Sequence, residues 1–192
     1  MSTDAMLKNE FKTIILPMYK KLYPKSPLPT ELEVWEGDQL DGGAVEGMVY
    51  VYSGVGKQLR AIRLYALAHE SGHVATVEQG KGLGLGNHIP APEEYKKSEH
   101  LADLIAMHTI RRCDPLLAKT IQGYFTTIKD LLGAADDMHP SGEKRVGLMS
   151  EYMMGAGIPA VTAGPVDIKA AEGATKCFNQ IFTRTWNANS VD

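Results

Sequence analysis

The sequence predicts an α+β fold, mostly helical, with a small sheet packed beside one of its helices. Long stretches that place apolar residues at steps of three and four predict the helices. Two short runs of β-branched and aromatic residues, "ELEVWEG" and "GMVYVYSG", predict the strands. The chain shows no internal repeat, low-complexity tract or clear linker, so residues 1–192 are expected to form a single domain.

Taken in order, Asp4 to Leu22 sets Leu7, Phe11, Ile14, Ile15, Met18 and Leu22 on one helical face, and prolines 24, 27 and 29 close that helix. The glycine-rich "GDQLDGGAVEG" between the two strands reads as a turn. From Lys57 to Glu78 the period is helical again, with Leu59, Ile62, Ala66, His69, His73 and Val77 on one stripe. "QGKGLGLGNHIPAPEE" is a loop, and Pro92 opens a helix that ends at Arg111 and Arg112, the charge its macrodipole prefers there. Asp114 and Pro115 are a cap and first helical position for a helix reaching Leu132, with Leu117, Ile121, Phe125, Ile128 and Leu132 facing the core. A turn, "GAADDMHPSG", leads to a helix over Glu143 to Met154. After the loop "GAGIPAVTAGP" comes a last helix, Asp167 to Trp186, and a polar tail.

The bulk properties exclude several classes. A formal charge of −3 argues against nucleic acid or an anionic membrane as the main partner. No apolar run approaches the roughly 20 residues that span a bilayer. The N-terminus "MSTDAMLKNEFK" has an early acid and no basic lead into an apolar segment, so no signal peptide is expected and a cytoplasmic location is the default. Cys113 and Cys177 stand outside any C-x-x-C pattern and are expected to be buried or half-buried thiols.

The chemistry concentrates in "LAHESGHV". His69-Glu70-Ser71-Gly72-His73 is an H-E-x-x-H pattern on a predicted helix, where the i, i+4 spacing turns both imidazoles to one side, able to grip one zinc ion. Glu70 then stands beside the metal, where its carboxylate can take a proton from water and give it to a leaving amine. Catalytic zinc needs a third protein ligand. Downstream candidates are His88, Glu99, His100, Asp103, His108, Asp136, Asp137 and His139. Thr76 and Gln79 occupy the positions that H-E-x-x-H-x-x-G-x-x-H would give to glycine and histidine, so a metzincin pattern is excluded. "SEHLADLIAMH" is the informative segment. Glu99 and Asp103 lie four apart among the small residues Ala102 and Ala106, so Glu99 could reach the metal while Asp103 accepts the ring N–H of a ligating histidine.

The joint pattern "VYVYSGVG…LAHESGHV…SEHLADLIA…MHPSGEKRV" resembles the HtpX-type gluzincin metallopeptidases, the group that includes the CaaX prenyl protease and periplasmic quality-control proteases. The resemblance covers about Val45 to Arg145. It implies a zincin-like fold and a zinc-dependent endopeptidase acting on a protein or peptide, with one zinc ion held by His69, His73 and Glu99 and with Glu70 as general base. It also implies that Asp103 orients a ligand, that Arg145, the internal arginine of the later motif, stands behind the ligands, and that His139 of H-P-x-x-x-x-R contacts substrate or the tetrahedral intermediate. The shorter stretch between His73 and Glu99 and the missing membrane helices suggest a trimmed form with no membrane insertion. Val49, Tyr50 and Val51 of the strand before the H-E-x-x-H helix are the expected edge for an extended peptide. Tyr152 is a further candidate for steadying an oxyanion, and His88 for an extra ligand.

Rival readings rest on less. An FtsH-type protease would need Asp136 or Asp137 as third ligand and leaves E-x-x-A-D unexplained. An ImmA-type regulatory protease would place asparagine where Asp103 stands. A metal- or peptide-binding module without catalysis would have no need of Glu70.

Overall fold

The computed structural model describes residues 2–45, 47–76, 92–157, 168–189 and 191, which fall into two compact units, residues 1–90 and 91–192. Both helices and a three-stranded sheet are present, so the chain is of mixed α+β class. Among the described residues no helix is long and apolar enough to cross a membrane.

The first unit begins with helix α1 (Thr3–Glu10), which passes through a π-helical stretch, Phe11–Ile15, into α2 (Leu16–Leu22). Pro17 explains the wide turn. It has no N–H to give and its ring would clash with the carbonyl four residues back, and the helix widens just before it, with the Leu16 N–H reaching back to the Phe11 carbonyl. The buried apolar side chains are Leu7, Phe11, Ile15 and Tyr19, so steps of four replace the expected alternation of three and four, and Tyr19 takes the inward place expected for Met18. An ion pair ties this helix to the rest of the unit: Arg63 donates from Nε and Nη2 to the Glu10 carboxylate at 3.0 and 2.7 Å.

Among the described residues the sheet has three strands, β1 (Glu31–Trp35), β2 (Gly42–Val45) and β3 (Met48–Tyr52), in the order β1-β3-β2. β1 runs parallel to β3 with Leu32 opposite Val49 and Trp35 opposite Tyr52, and β2 runs antiparallel to it with Gly43 opposite Tyr50. Two expectations are corrected here. The segment expected to be only a turn contains β2, a strand hidden by its glycines, which lack the side chains that mark strands. Both glycines are required by close approach. A Cβ on Gly43 would lie 2.5 Å from the Tyr50 hydroxyl, and one on Gly42 would lie 2.6 Å from the Tyr50 carbonyl oxygen. The second correction concerns Val49, Tyr50 and Val51. Their strand is the central one, hydrogen-bonded on both sides, so it cannot accept a further strand; the outer edges belong to β1 and β2. Val49 and Val51 face inward and are buried, whereas Tyr50 and Tyr52 lie on the opposite face.

A 3-10 turn, Ser53–Lys57, leads into α3 (Arg60–Ala75). The predicted stripe understates this helix. Its residues Ala61, Ile62, Leu64, Tyr65, Leu67, Ala68, His69, Glu70, Ser71, Gly72, Val74 and Ala75 are all buried, while Leu59, the stripe's expected first member, is 54% exposed. A helix covered nearly all round needs no polar side, which is why its surface is rich in alanine and leucine. Val77 and Glu78 of the expected helix, and the loop that follows with His88, lie outside the described residues.

The second unit is built on α4 (Pro92–Cys113), which is buried without interruption from His100 to Arg111. Against it pack α5 (Pro115–Gly123), α7 (Gly142–Gly155) and α8 (Ile168–Asn187), while α6 (Phe125–Leu132) packs on α7. The Asp114 carboxylate caps α5 by accepting from the Leu117 N–H at 2.9 Å. The single helix expected from Pro115 to Leu132 is interrupted at Gly123 and Tyr124, since glycine is the weakest interior helix former after proline. Ile121, Phe125 and Ile128 keep the buried face across the break. Cys113 and Cys177 are half-buried and not joined in a disulfide.

Candidate metal centre

On α3 the H-E-x-x-H residues are arranged as the i, i+4 spacing requires. The Nε2 atoms of His69 and His73 lie 3.1 Å apart, with the rings nearly perpendicular at 85°. His69 is buried and His73 half-buried. Two nitrogens bound at 2.0–2.1 Å to one tetrahedral centre would be roughly 3.3 Å apart, so the pair is spaced for one ion. Without an ion, the same separation lets one neutral imidazole donate to the other. The Tyr19 hydroxyl donates to the carbonyl of Ala68, the residue before His69, at 2.7 Å in a fully buried contact. Glu70 is 8% exposed, and a Cβ on Gly42 would lie 3.0 Å from its Oε1, so the backbone of β2 passes directly over this carboxylate.

The acidic pair of α4 shares one arginine of the second unit. Asp103 is fully buried, and its two oxygens accept from Nε and Nη2 of Arg145 at 2.7 and 2.8 Å, a bidentate pairing. Nη1 of the same guanidinium reaches Glu99 Oε2 at 3.1 Å. Arg145, itself buried, is thus shared between the two carboxylates, and Asp103 acts on Glu99 through it. This places Arg145 against Asp103 and Glu99.

His69, His73 and Glu99 form a group that could hold a metal ion, each offering one ligand atom, with all three atoms within 4.8 Å of one another. Two imidazole nitrogens and one carboxylate oxygen are a donor set suited to a divalent transition metal. No family model, curated protein or solved structure matches this chain.

Other candidates from the sequence lie elsewhere. His139 is outside the group of three, on a surface turn with its Nδ1 3.0 Å from both oxygens of Asp136, which also accepts the backbone N–H of Met138 and of His139. The bond from the imidazole, with those two backbone donors, holds the Asp136 carboxyl down at about 2. The side chain is thus occupied in capping its own turn. Tyr152 is fully buried, and its hydroxyl meets His108 Nδ1 at 2.8 Å, which removes it as an oxyanion donor. His108 stacks on Phe178 at 4.3 Å between ring centres. Burial, with the nearby charges of Arg112 and Arg111, lowers its pKa to about 3, so it is a neutral core histidine rather than a ligand.

Two contributors were missed in the sequence. Tyr19 was passed over because a strict 3.6 period favours Met18, although Leu7, Phe11, Ile15 and Tyr19 do form a run of fours. Gly42 was read as turn punctuation. The signal that could have found it was the double glycine followed by "AV" and a second apolar run, a pattern compatible with a hairpin arm.

Proposed function

We propose that the chain is a zinc-dependent metalloendopeptidase of zincin-like fold, akin to the HtpX-type group, with His69, His73 and Glu99 as ligands and Glu70 as general base. One observation carries the reading: two imidazole nitrogens and a carboxylate oxygen lie within 4.8 Å of one another, and a further carboxylate adjoins the first histidine on the same helix. Three protein ligands of this kind are the donor set of catalytic zinc, which when bound would polarise a scissile carbonyl and acidify water.

The chain's own residues supply the rest. Glu70 is shielded from bulk solvent and lies under the backbone of β2, so a peptide running along that edge would pass close to its carboxylate. Glu70 takes a proton from the attacking water and returns it to the departing amine. Docking passes from β3 to β2, whose outer N–H and C=O groups can pair with an extended substrate and give affinity with little demand on sequence. Arg145 fixes the carboxylate of Glu99, and Asp103 fixes Arg145. His139 has no step in this scheme.

Metal analysis of the purified protein tests the ligand set. The wild type should carry about one zinc per chain and the Glu99→Ala form much less. Glu70→Gln should keep its zinc and lose about 10²–10⁴-fold in cleavage of an unfolded protein substrate. Zinc content indifferent to Glu99 would overturn the site. Full function in the Glu70→Gln form would leave a binding module in place of an enzyme.

A further inference from the structure

The outer face of the sheet has a composition that the scheme above does not use. Trp35 stacks on Tyr50 with ring centres 3.9 Å apart and planes 12° apart, and Tyr52 stands edge-on to both. Trp35 is 41% exposed, and its indole N–H is given to Glu33 at 2.8 Å. The Tyr50 ring leans across Gly43 of β2, since a Cβ there would lie within 2.7 Å of three of its atoms. It therefore reaches from the central strand toward the outer edge of β2.

The charge around this platform has one sign. Residues 26–56 contain Glu31, Glu33, Glu36, Asp38, Asp41 and Glu46 and no lysine, arginine or histidine. Glu31, Glu33 and Asp41 are exposed, and of the acids only Asp38 is matched by a described cation, Lys57. Tyr50 registers this field: burial, then the charges of Asp41, Tyr52 and Glu70, push its phenol pKa upward. Aromatic faces and carboxylates share a preference for cations, the rings through their quadrupole and the acids through their charge.

We propose that this face receives a lysine- or arginine-bearing extended segment laid along the outer edge of β2, with a basic side chain held between the Tyr50 and Trp35 rings and the carboxylates of Glu33 and Asp41. Strand geometry fits the assignment, because alternate side chains of an added strand project to the face on which Tyr50 lies over Gly43. The inference names a substrate class and rests on the peptidase reading for cleavage only; binding stands without it.

The test uses the full chain as Glu70→Gln, with Trp186→Phe so that Trp35 is the reporting indole. Peptides of equal length carrying lysine, glutamine or glutamate at alternate positions are titrated by fluorescence. The lysine peptide should bind about 10-fold or more tightly than the glutamine peptide at low salt, an advantage that shrinks toward 1 M salt as screening sets in. Glu33→Gln with Asp41→Asn, both at exposed positions, should remove most of that preference, and Trp35→Leu, titrated by calorimetry because it removes the reporting indole, should cost about 2–5-fold more. Equal binding of all three peptides would overturn the proposal, and so would a dimer in sedimentation that these substitutions dissociate, since that gives the face to a second copy. Wild-type cleavage without a basic preference would sink this inference and leave the peptidase standing. Lysine-selective binding with no cleavage would do the reverse.

Discussion

Glu10 and Asp103 are both carboxylates withdrawn from water and given to an arginine, one in each unit, yet the two networks end differently. In the first unit Arg63 uses Nε and Nη2 on Glu10 and Nη1 on the Gln58 carbonyl, so its guanidinium joins two parts of the same unit and does nothing further. In the second, Arg145 uses the same two nitrogens on Asp103 and turns Nη1 to Glu99, a residue that also offers a ligand atom alongside His69 and His73. The chemistry is alike, but the third arm goes to a main-chain carbonyl in one and to a candidate ligand in the other. A buried ion pair by itself is weak evidence of stability or function. What its remaining donor holds is the informative part.

The sharpest way to break the comparison is to remove each arginine. Arg145→Met takes the bidentate partner from the fully buried Asp103 and should cost about 3–5 kcal/mol in denaturant unfolding. It should also lower zinc affinity about 10–100-fold, measured by competition with a chelator in the folded protein, because Glu99 loses its anchor. Arg63→Met should destabilise somewhat less, about 2–4 kcal/mol, because Glu10 retains some solvent and lies 3.6 Å from Arg60. Zinc affinity per folded molecule should not move. Equal loss of zinc affinity in both variants would erase the distinction.

Acid sharpens the picture for the second unit. His108 is held neutral with its pKa lowered to about 3, while in the unfolded chain it titrates near 6.5. Between those values the unfolded state binds more protons, so this residue's contribution is present above pH 6.5 and falls away as the pH drops toward 3. Denaturant melts at pH 7 and pH 4 should therefore show a smaller loss for His108→Gln than for the wild type. The smallest effect expected is that of Tyr19→Phe, which removes one buried hydrogen bond to the Ala68 carbonyl and should cost about 1 kcal/mol by denaturant unfolding, with zinc content unchanged.

Much of this was legible because local rules suffice for it. The helical spacing of His69 and His73, the Asp114 cap and the Pro92 start are each written in a few adjacent residues. The contacts of Arg145 with Asp103 and Glu99 join two helices and are written in neither of them alone. The failures came where one segment answers to another. Gly42 and Gly43 look like a turn until the Tyr50 ring and the Glu70 carboxylate are set against them. Val49 to Val51 look like an edge until β2 is recognised beside them. The motif that singles out His139 does not say that its imidazole lies against Asp136, three residues back.

The wide turn at Phe11–Ile15 has a consequence for how tolerant the N-terminal helix can be of changes in length. It absorbs one surplus residue, so that everything ahead of it meets the core at a rotation about 100° away from where an unbroken repeat would put it. Deleting a single residue there would relax the coil to ordinary pitch and leave Leu7 in line with the inward face that follows, because the helix then makes close to three whole turns between Leu7 and Tyr19. The same deletion in α1 or α2, with the wide turn kept, would swing one part by about 100° and be the harsher operation.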